Sequence, residues 1–164
     1  IDIESEIRND LAFLKELTKK NIQNKKHIKY ENSVALHLRE PNKNLINFKK
    51  RDLTNYYIKA INLINNKIRS PYFFIFGDLS HYHHLKKHID PLRIKTIINR
   101  NPIDDLHLMS LCKHFIIADS TFSWWGAWLS NHKDKIIIAP AYQDYNSERC
   151  WGFKGLIPKK WIVL

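Results

Sequence analysis

The chain has 164 residues, 44% hydrophobic and 26% charged, with 27 Lys and Arg against 16 Asp and Glu for a formal net charge of +11. That length and balance describe one folded domain and exclude a disordered chain. No apolar run is long enough to cross a bilayer as a helix, and the first residues lack the basic, apolar and small-residue order of a signal peptide. A balance this basic favours anionic partners: nucleic acid, a phosphate-bearing substrate or an acidic membrane face. Cys112 and Cys150 lie far apart in no metal-ligand spacing and read as reduced thiols of a cytoplasmic protein. The single methionine is Met109, so the expectation is a piece of a longer protein.

Residues 1–30 are expected to form a helix from Glu4 to about Lys20 and then a Lys- and Asn-rich linker, a unit apart from the domain at 31–164. A first strand is predicted at Ser33–Leu38, followed by a polar loop through Pro41 and Asn44. The next stretch, about Asp52 to Lys67, is helical, with Tyr56, Ala60, Leu63 and Ile64 at core-facing spacing. Ser70-Pro71 breaks it, and Tyr72–Phe76 reads as a fully buried strand stopped by Gly77-Asp78. A histidine-rich helix follows over Ser80–His88, then a strand at Ile94–Ile98 and a helix over Asp104–Lys113. Phe115–Ala118 is a strand, Thr121 to about Asn131 a helix, and Lys135–Ala139 the last strand, closed by Pro140. The tail after Tyr142 is irregular, with Trp151 and Trp161 covering the sheet's edge or end. Apolar, non-alternating strands separated by helices require a parallel sheet covered on both faces. The fold class is a Rossmann-like α/β domain.

In an open parallel sheet, ligands bind beyond the carboxyl ends of the strands, which selects three loops. At the end of the first strand His37 and Arg39 share one face, and Leu36 and Leu38 the other. An arginine there can grip a phosphate bidentately and stays charged at every working pH. The plainer alternative is a surface arginine beside a structural histidine. After the fourth strand, Ala118-Asp119-Ser120-Thr121-Phe122-Ser123 runs into a helix through small hydroxylated residues. Free backbone amides and the helix dipole favour an anion there, whereas the alternative is an ordinary helix cap. Third, Asp104 and Asp105 open a helix after the third strand. Acids satisfy the dipole at such a position, and an aspartate can also accept the N–H edge of guanine.

Other features are read more plainly. The Trp124-Trp125-Gly126-Ala127-Trp128 cluster is mainly core packing, with sugar stacking as its other use. His81, His84 and His88 fall at i, i+3 and i+7 with His83 close by, and form a solvated basic face rather than a metal site. No GxxxxGK[ST], GxGxxG or GxSxG occurs, so P-loop, dinucleotide and α/β-hydrolase readings lack their signatures. Nucleic-acid binding needs exposed aromatics among the basic residues, and here the aromatics sit in apolar runs. No nucleic-acid partner is expected.

The stretch from Asp105 to Leu129, DLHLMSLCKHFIIADSTFSWWGAWL, closely resembles the bacterial family-11 glycosyltransferases, the α-1,2-fucosyltransferases. Further matches are Ile7-Arg8-Asn9-Asp10, Tyr56-Tyr57-Ile58-Lys59-Ala60-Ile61, Phe73-Phe74-Ile75-Phe76, Lys135–Pro140 and Pro158-Lys159-Lys160-Trp161. The resemblance implies the C-terminal, GDP-fucose-binding lobe of a GT-B-like enzyme. It implies inverting transfer of L-fucose from GDP-fucose to the 2-hydroxyl of a galactoside in surface-glycan or O-antigen synthesis, with no cofactor and no metal. Carried over by motif, the H-x-R element falls on His37 and Arg39, with Arg39 catalytic and His37 binding substrate. The acid expected near guanine falls on Asp105, and the diphosphate-facing hydroxyls on Ser120, Thr121 and Ser123. The partners implied are GDP-fucose and a galactoside-containing glycan. The expected location is cytoplasmic, peripheral to an anionic inner membrane face.

The family's H-x-R-R-G-D is altered here to His37-Leu38-Arg39-Glu40-Pro41-Asn42. A glutamate replaces the second arginine and would repel a leaving diphosphate if it pointed the same way. Gly77-Asp78-Leu79-Ser80-His81 also departs from the family's paired acids and aromatic. A GDP-sugar-binding remnant with impaired catalysis is therefore the alternative reading.

Overall fold

The computed structural model describes residues 3–13, 16–39, 53–79, 81–99, 101–141 and 156–164. Its elements are α1 (Ile3–Asp10), α2 (Lys19–Tyr30), β1 (Asn32–Leu38), α3 (Thr54–Lys67), β2 (Pro71–Gly77), α4 (Tyr82–Leu85) and β3 (Ile94–Thr96). There follow α5 (Pro102–Ser110), β4 (His114–Ile116), α6 (Thr121–Leu129), β5 (Ile137–Ala139) and β6 (Ile162–Val163). All the strand pairs are parallel, in the order β3-β2-β1-β4-β5-β6. This is the strand order of the Rossmann fold, and the expected fold class is the one observed.

Both faces of the sheet are dry, which is why its strands do not alternate between apolar and polar. Val34, Leu36, Leu38, Phe73 and Ile75 meet Tyr57, Ala60, Ile61 and Ile64 of α3 on one side. Ala35, Phe74, Phe76 and Phe115 meet Ile28 of α2, Leu108 and Met109 of α5 and Ala127 of α6 on the other. Gly126 lets α5 and α6 close, since a Cβ there would fall 2.9 Å from Met109 Cγ. Tyr56 ties α3 to the strand ends: its hydroxyl lies 2.8 Å from the carbonyl oxygens of both Ile117 and Ile138.

Three expectations change. The helix expected over Glu4 to Lys20 ends at Asp10, and the expected linker contains α2, which starts at an N-cap where Thr18 Oγ1 accepts from the Asn21 amide at 3.3 Å. The inward face of α2 carries Asn21, Asn24 and Ile28, so apolar periodicity could not reveal it. The tail adds a sixth strand, β6, whose two residues are too few to show a pattern, and Trp161 beside it packs 5.6 Å from Trp124. The histidine helix stops at Leu85 and continues as a 3-10 turn over Lys86–His88, so its histidines do not share one helical face. His83 and His84 are exposed, whereas His81 and His88 are half-buried, with His81 Nδ1 3.1 Å from Thr54 Oγ1. Among the described residues no group of three His, Cys, Asp or Glu could hold a metal ion. The altered motif at Glu40-Pro41-Asn42, Cys150 and Trp151 lie outside the described residues.

Gly77 ends β2 with φ +89°, and a Cβ there would run into the Leu38 carbonyl oxygen and come within 3.1–3.2 Å of the His37 ring. The next amide, Asp78 N–H, bonds that same carbonyl at 3.1 Å, so β1 and β2 end in one tight corner. Gly77→Ala should therefore destabilise the chain by roughly 1–3 kcal/mol, the usual size of backbone strain at a positive φ. A urea midpoint equal to the parent's would show that the corner relaxes without strain.

Candidate functional site

A parallel sheet opens where its strand order reverses. From β1 the chain builds outward to β2 and β3, and from β4 outward the other way, so the loops leaving β1 and β4 part and expose a crevice. Arg39 follows β1 directly, and Asp119-Ser120 leads from β4 into α6. Across the crevice Arg39 Nη1 donates to Ser120 Oγ at 3.0 Å. Two of the three loops selected from the sequence thus meet.

Ser120 occupies the N-cap position of α6 in extended conformation, but its hydroxyl makes no cap bond to the helix. The first-turn amides of α6 have no intrahelical acceptor, and this hydroxyl does not supply one. A guanidinium and the positive end of a helix dipole therefore converge on one spot, with the exposed Thr121 beside them. Such an arrangement suits a phosphate group. Ser123 behaves differently: it is fully buried, and its Oγ lies 3.1 Å from Ser120 O and 3.4 Å from Ala118 O. Its hydroxyl closes the turn.

The far end of α6 is held by cations. Arg8 donates to Trp128 O at 2.9 Å and Leu129 O at 3.2 Å, with its guanidinium 4.2 Å from the Trp128 ring centroid. Lys135 Nζ lies 2.6 Å from Ser130 O and 3.1 Å from Ala127 O, and burial together with Arg8 lowers its pKa to about 8. Both charges complement the negative end of the dipole, and they anchor the helix that presents Ser120. A cavity of about 510 Å³ opens at this same end, lined by Arg8, Lys29, Lys113, His107 and His132 among others, and not by Arg39 or Ser120.

His37 is buried at the end of β1, its ring centroid 5.7 Å from that of Phe122, and its Nδ1 has no hydrogen-bond partner. Burial first, and then the Arg39 charge, lower its pKa to about 4 against a smaller opposing pull from Asp78. The imidazole is neutral at working pH. Behind it, on the other face of the sheet, lies a residue not singled out from the sequence. Tyr57 is wholly buried with no side-chain hydrogen-bond partner for its hydroxyl, and burial raises its pKa above the ordinary phenol range. The Arg39 main chain lowers that pKa in opposition, while the Asp78 and Asp119 charges raise it further, which places the phenol beside the ends of β1, β2 and β4. In the sequence Tyr56 and not Tyr57 is placed at core-facing spacing, and Tyr57 enters only within the matched stretch Tyr56–Ile61.

Asp105 stands apart from this group. It lies in the first turn of α5 beyond β3, where its Oδ1 accepts from Asn99 Nδ2 at 2.7 Å. Its pKa is raised, by burial first and by the neighbouring Asp104, against the lowering effect of Asn99. Asp104 is gripped from α2: Asn21 Nδ2 donates to its Oδ2 at 3.1 Å, and Asn24 Nδ2 to Asn21 Oδ1 at 3.2 Å. At about 4.8 Å per strand, the three steps from β4 to β3 span roughly 14 Å along the carboxyl edge. An elongated ligand would be needed to touch both ends.

The profile of the family described as Glycosyl transferase family 11 matches residues 37–164. The Alpha-1,2-colitosyltransferase of Escherichia coli is 33% identical over 144 residues, which cover 82% of this chain and 48% of that protein. The O-antigen biosynthesis glycosyltransferase WbnK of Escherichia coli is 61% identical over 36 residues, 22% of this chain and 12% of that protein. The chain spans about half the length of the colitosyltransferase it matches. Among solved structures it is similar to the E. coli heptosyltransferase WaaC with ADP-2-deoxy-2-fluoro heptose, at a TM-score of 0.46 and 15% identity over 95% of this chain and 45% of that one.

The buried imidazole gives the site a pH signature. His37 takes up its proton near pH 4 in the folded chain and near pH 6.5 in the unfolded one, so the unfolded chain binds more protons in between. Stability falls as pH drops through that window, by up to about 1.4 kcal/mol per pH unit from this group. Urea unfolding at a series of pH values should show the slope, and His37→Gln should flatten it by about one proton. A slope that the substitution leaves unchanged would mean that the imidazole titrates normally in the fold.

Proposed function

Because the chain belongs to glycosyl transferase family 11, we propose that it is the donor-binding lobe of a GT-B enzyme that moves L-fucose from GDP-fucose to the 2-hydroxyl of a galactoside during O-antigen assembly. The observation that carries this reading is the Arg39–Ser120 contact at the sheet's reversal point, where a diphosphate would find a guanidinium and a helix N-terminus together. Asp105 lies farther along the same edge, and its carboxylate would accept the N–H groups of guanine. In this pose the nucleotide runs along the carboxyl edge from β4 towards β3.

The chemistry follows from charge. The acceptor oxygen attacks the anomeric carbon of the sugar, the bond from that carbon to the β-phosphate oxygen breaks, and the acceptor's proton passes to a general base. Negative charge grows on the departing GDP while the sugar passes through an oxocarbenium-like state. Arg39, the α6 amides and the Ser120 and Thr121 hydroxyls would stabilise that charge without a metal ion. Neutral His37 would support Arg39 from below without adding charge. The protein would work on the cytoplasmic side, against an anionic membrane face.

A second donor has a specific observation behind it. The relative matched over most of this chain is a colitosyltransferase, and colitose is fucose without its 3-hydroxyl. The same phosphate and guanine contacts would serve GDP-colitose. Transfer assays with the whole protein, offered GDP-fucose or GDP-colitose and a galactoside, decide between them. No transfer from either donor would leave only the impaired remnant.

Nucleotide selectivity tests the site directly. Calorimetry should show GDP binding more tightly than ADP or UDP, with affinity unchanged by EDTA. Arg39→Ala should weaken GDP by roughly 1.5–3 kcal/mol, the usual worth of a hydrogen bond to a charged group. Equal affinities for the three nucleotides would remove the role given to Asp105. Undiminished binding by the Arg39 variant would remove the diphosphate from the reversal point.

A further inference from the structure

Helix α2 faces two ways. Asn21, Asn24 and Ile28 are 1%, 3% and 0% exposed and turn towards the sheet and α5. Lys19, Ile22, Lys26 and Lys29 follow one another at steps of three and four residues and are all exposed, which makes them one stripe on the opposite face. Tyr30 stands beside its end, 86% exposed, and Ile22 within it is 43% exposed. The helix KKNIQNKKHIKY contains five lysines and no acid. From Lys19 to Lys29 the stripe is about 15 Å long at 1.5 Å per residue.

We propose that this stripe lays the protein on an anionic phospholipid surface, with Ile22 and Tyr30 entering the headgroup layer. Three features favour lipid over nucleic acid. The stripe is the convex back of a helix, whereas single-stranded nucleic acid is held in a charged groove with stacked aromatics. Its cations are lysines: compact charges on flexible stems that suit a diffuse charged surface, where arginine would read individual phosphates in bidentate fashion. The aliphatic and aromatic side chains stand among these charges, as in helices that lie in the membrane interface.

The orientation is compatible with activity. Asn21 ties the first turn of α2 to Asp104 at the carboxyl edge of the sheet, while Lys29 at the other end lines the cavity at the opposite edge with Lys113. The stripe therefore runs from one edge to the other, and the crevice beside Arg39 faces along the surface instead of into it. This inference names the surface that would carry the membrane location in the transferase reading, and it stands without that reading.

Sedimentation with vesicles tests it. The chain should bind phosphatidylcholine vesicles containing phosphatidylglycerol and not pure phosphatidylcholine vesicles, with binding lost in high salt. The triple variant Lys19→Ala, Lys26→Ala, Lys29→Ala should partition about a hundred-fold more weakly, from the usual contribution of each lysine near a charged bilayer. Ile22→Ser with Tyr30→Ser should weaken binding at low salt, where the lysines alone still hold the chain to the vesicle. A control triple of the exposed Lys59, Lys67 and Lys133, each changed to Ala, should bind like the parent. Circular dichroism and GDP affinity should be unchanged in all of these variants, which separates failure here from failure of the donor site. The proposal is overturned if the chain ignores anionic vesicles, if the control triple loses as much as the α2 triple, or if a single-stranded RNA binds through the same lysines while vesicles do not.

Discussion

The reversal of strand order between β1 and β4 is the constraint on which the candidate site depends. Two neighbouring strands whose chains leave in opposite directions cannot cover their own carboxyl ends with one loop. The gap left between them is where Arg39 reaches Ser120. The packing around that gap is unusually committed. Gly77 ends β2 with a positive φ that lets it turn under His37, and the Tyr56 hydroxyl fixes the main chain where β4 and β5 end. The crevice is thus formed by main chain pinned from both sides, with few side-chain degrees of freedom left to order when a ligand arrives.

Much of this was legible because apolar runs carry their own meaning. Phe73-Phe74-Ile75-Phe76 can only be a strand covered on both faces, and Ser33–Leu38 behaves in the same way. Rules about parallel sheets then directed attention to the loops bearing Arg39, Ser120 and Asp105 without any knowledge of strand order. That order is a long-range fact, and it alone determines that the Arg39 and Ser120 loops touch while Asp105 stands off near β3. Ser123 shows a finer limit. A hydroxyl in the first turn of a helix can face a ligand or its own turn, and only the rotamer decides; here it bonds back towards Ser120 and Ala118.

Helix α2 was illegible for a different reason. Periodicity finds helices by their apolar stripe, and α2 buries two asparagines where that stripe would be. Burying an amide is unfavourable unless its hydrogen bonds are met, and Asn21 and Asn24 meet theirs through Asp104 and each other. A leucine pair would pack as well and ask for no partner. What the asparagines add is direction: they fix the first turn of α5 and so the neighbourhood of Asp105. Polar burial of this kind is invisible to hydropathy, yet it orients one end of the candidate site.

Charge placement completes the case for an anion. Arg8 and Lys135 neutralise the negative end of α6 through direct bonds to its last carbonyls, so nothing offsets the dipole from that side. At the positive end the nearest bonded side chain is another cation, Arg39, held 3.0 Å from Ser120 Oγ. The Arg39 guanidinium thus sits beside the positive end of α6, where Asp119 precedes the N-cap Ser120 and the Ser120 hydroxyl makes no cap bond. Burial first, and then the Arg39 charge, lower the pKa of His37 beneath them, against a smaller pull from Asp78. The Asp78 and Asp119 charges also act at this place, on His37 and on Tyr57, so the crevice joins a guanidinium and a helix N-terminus to two acids.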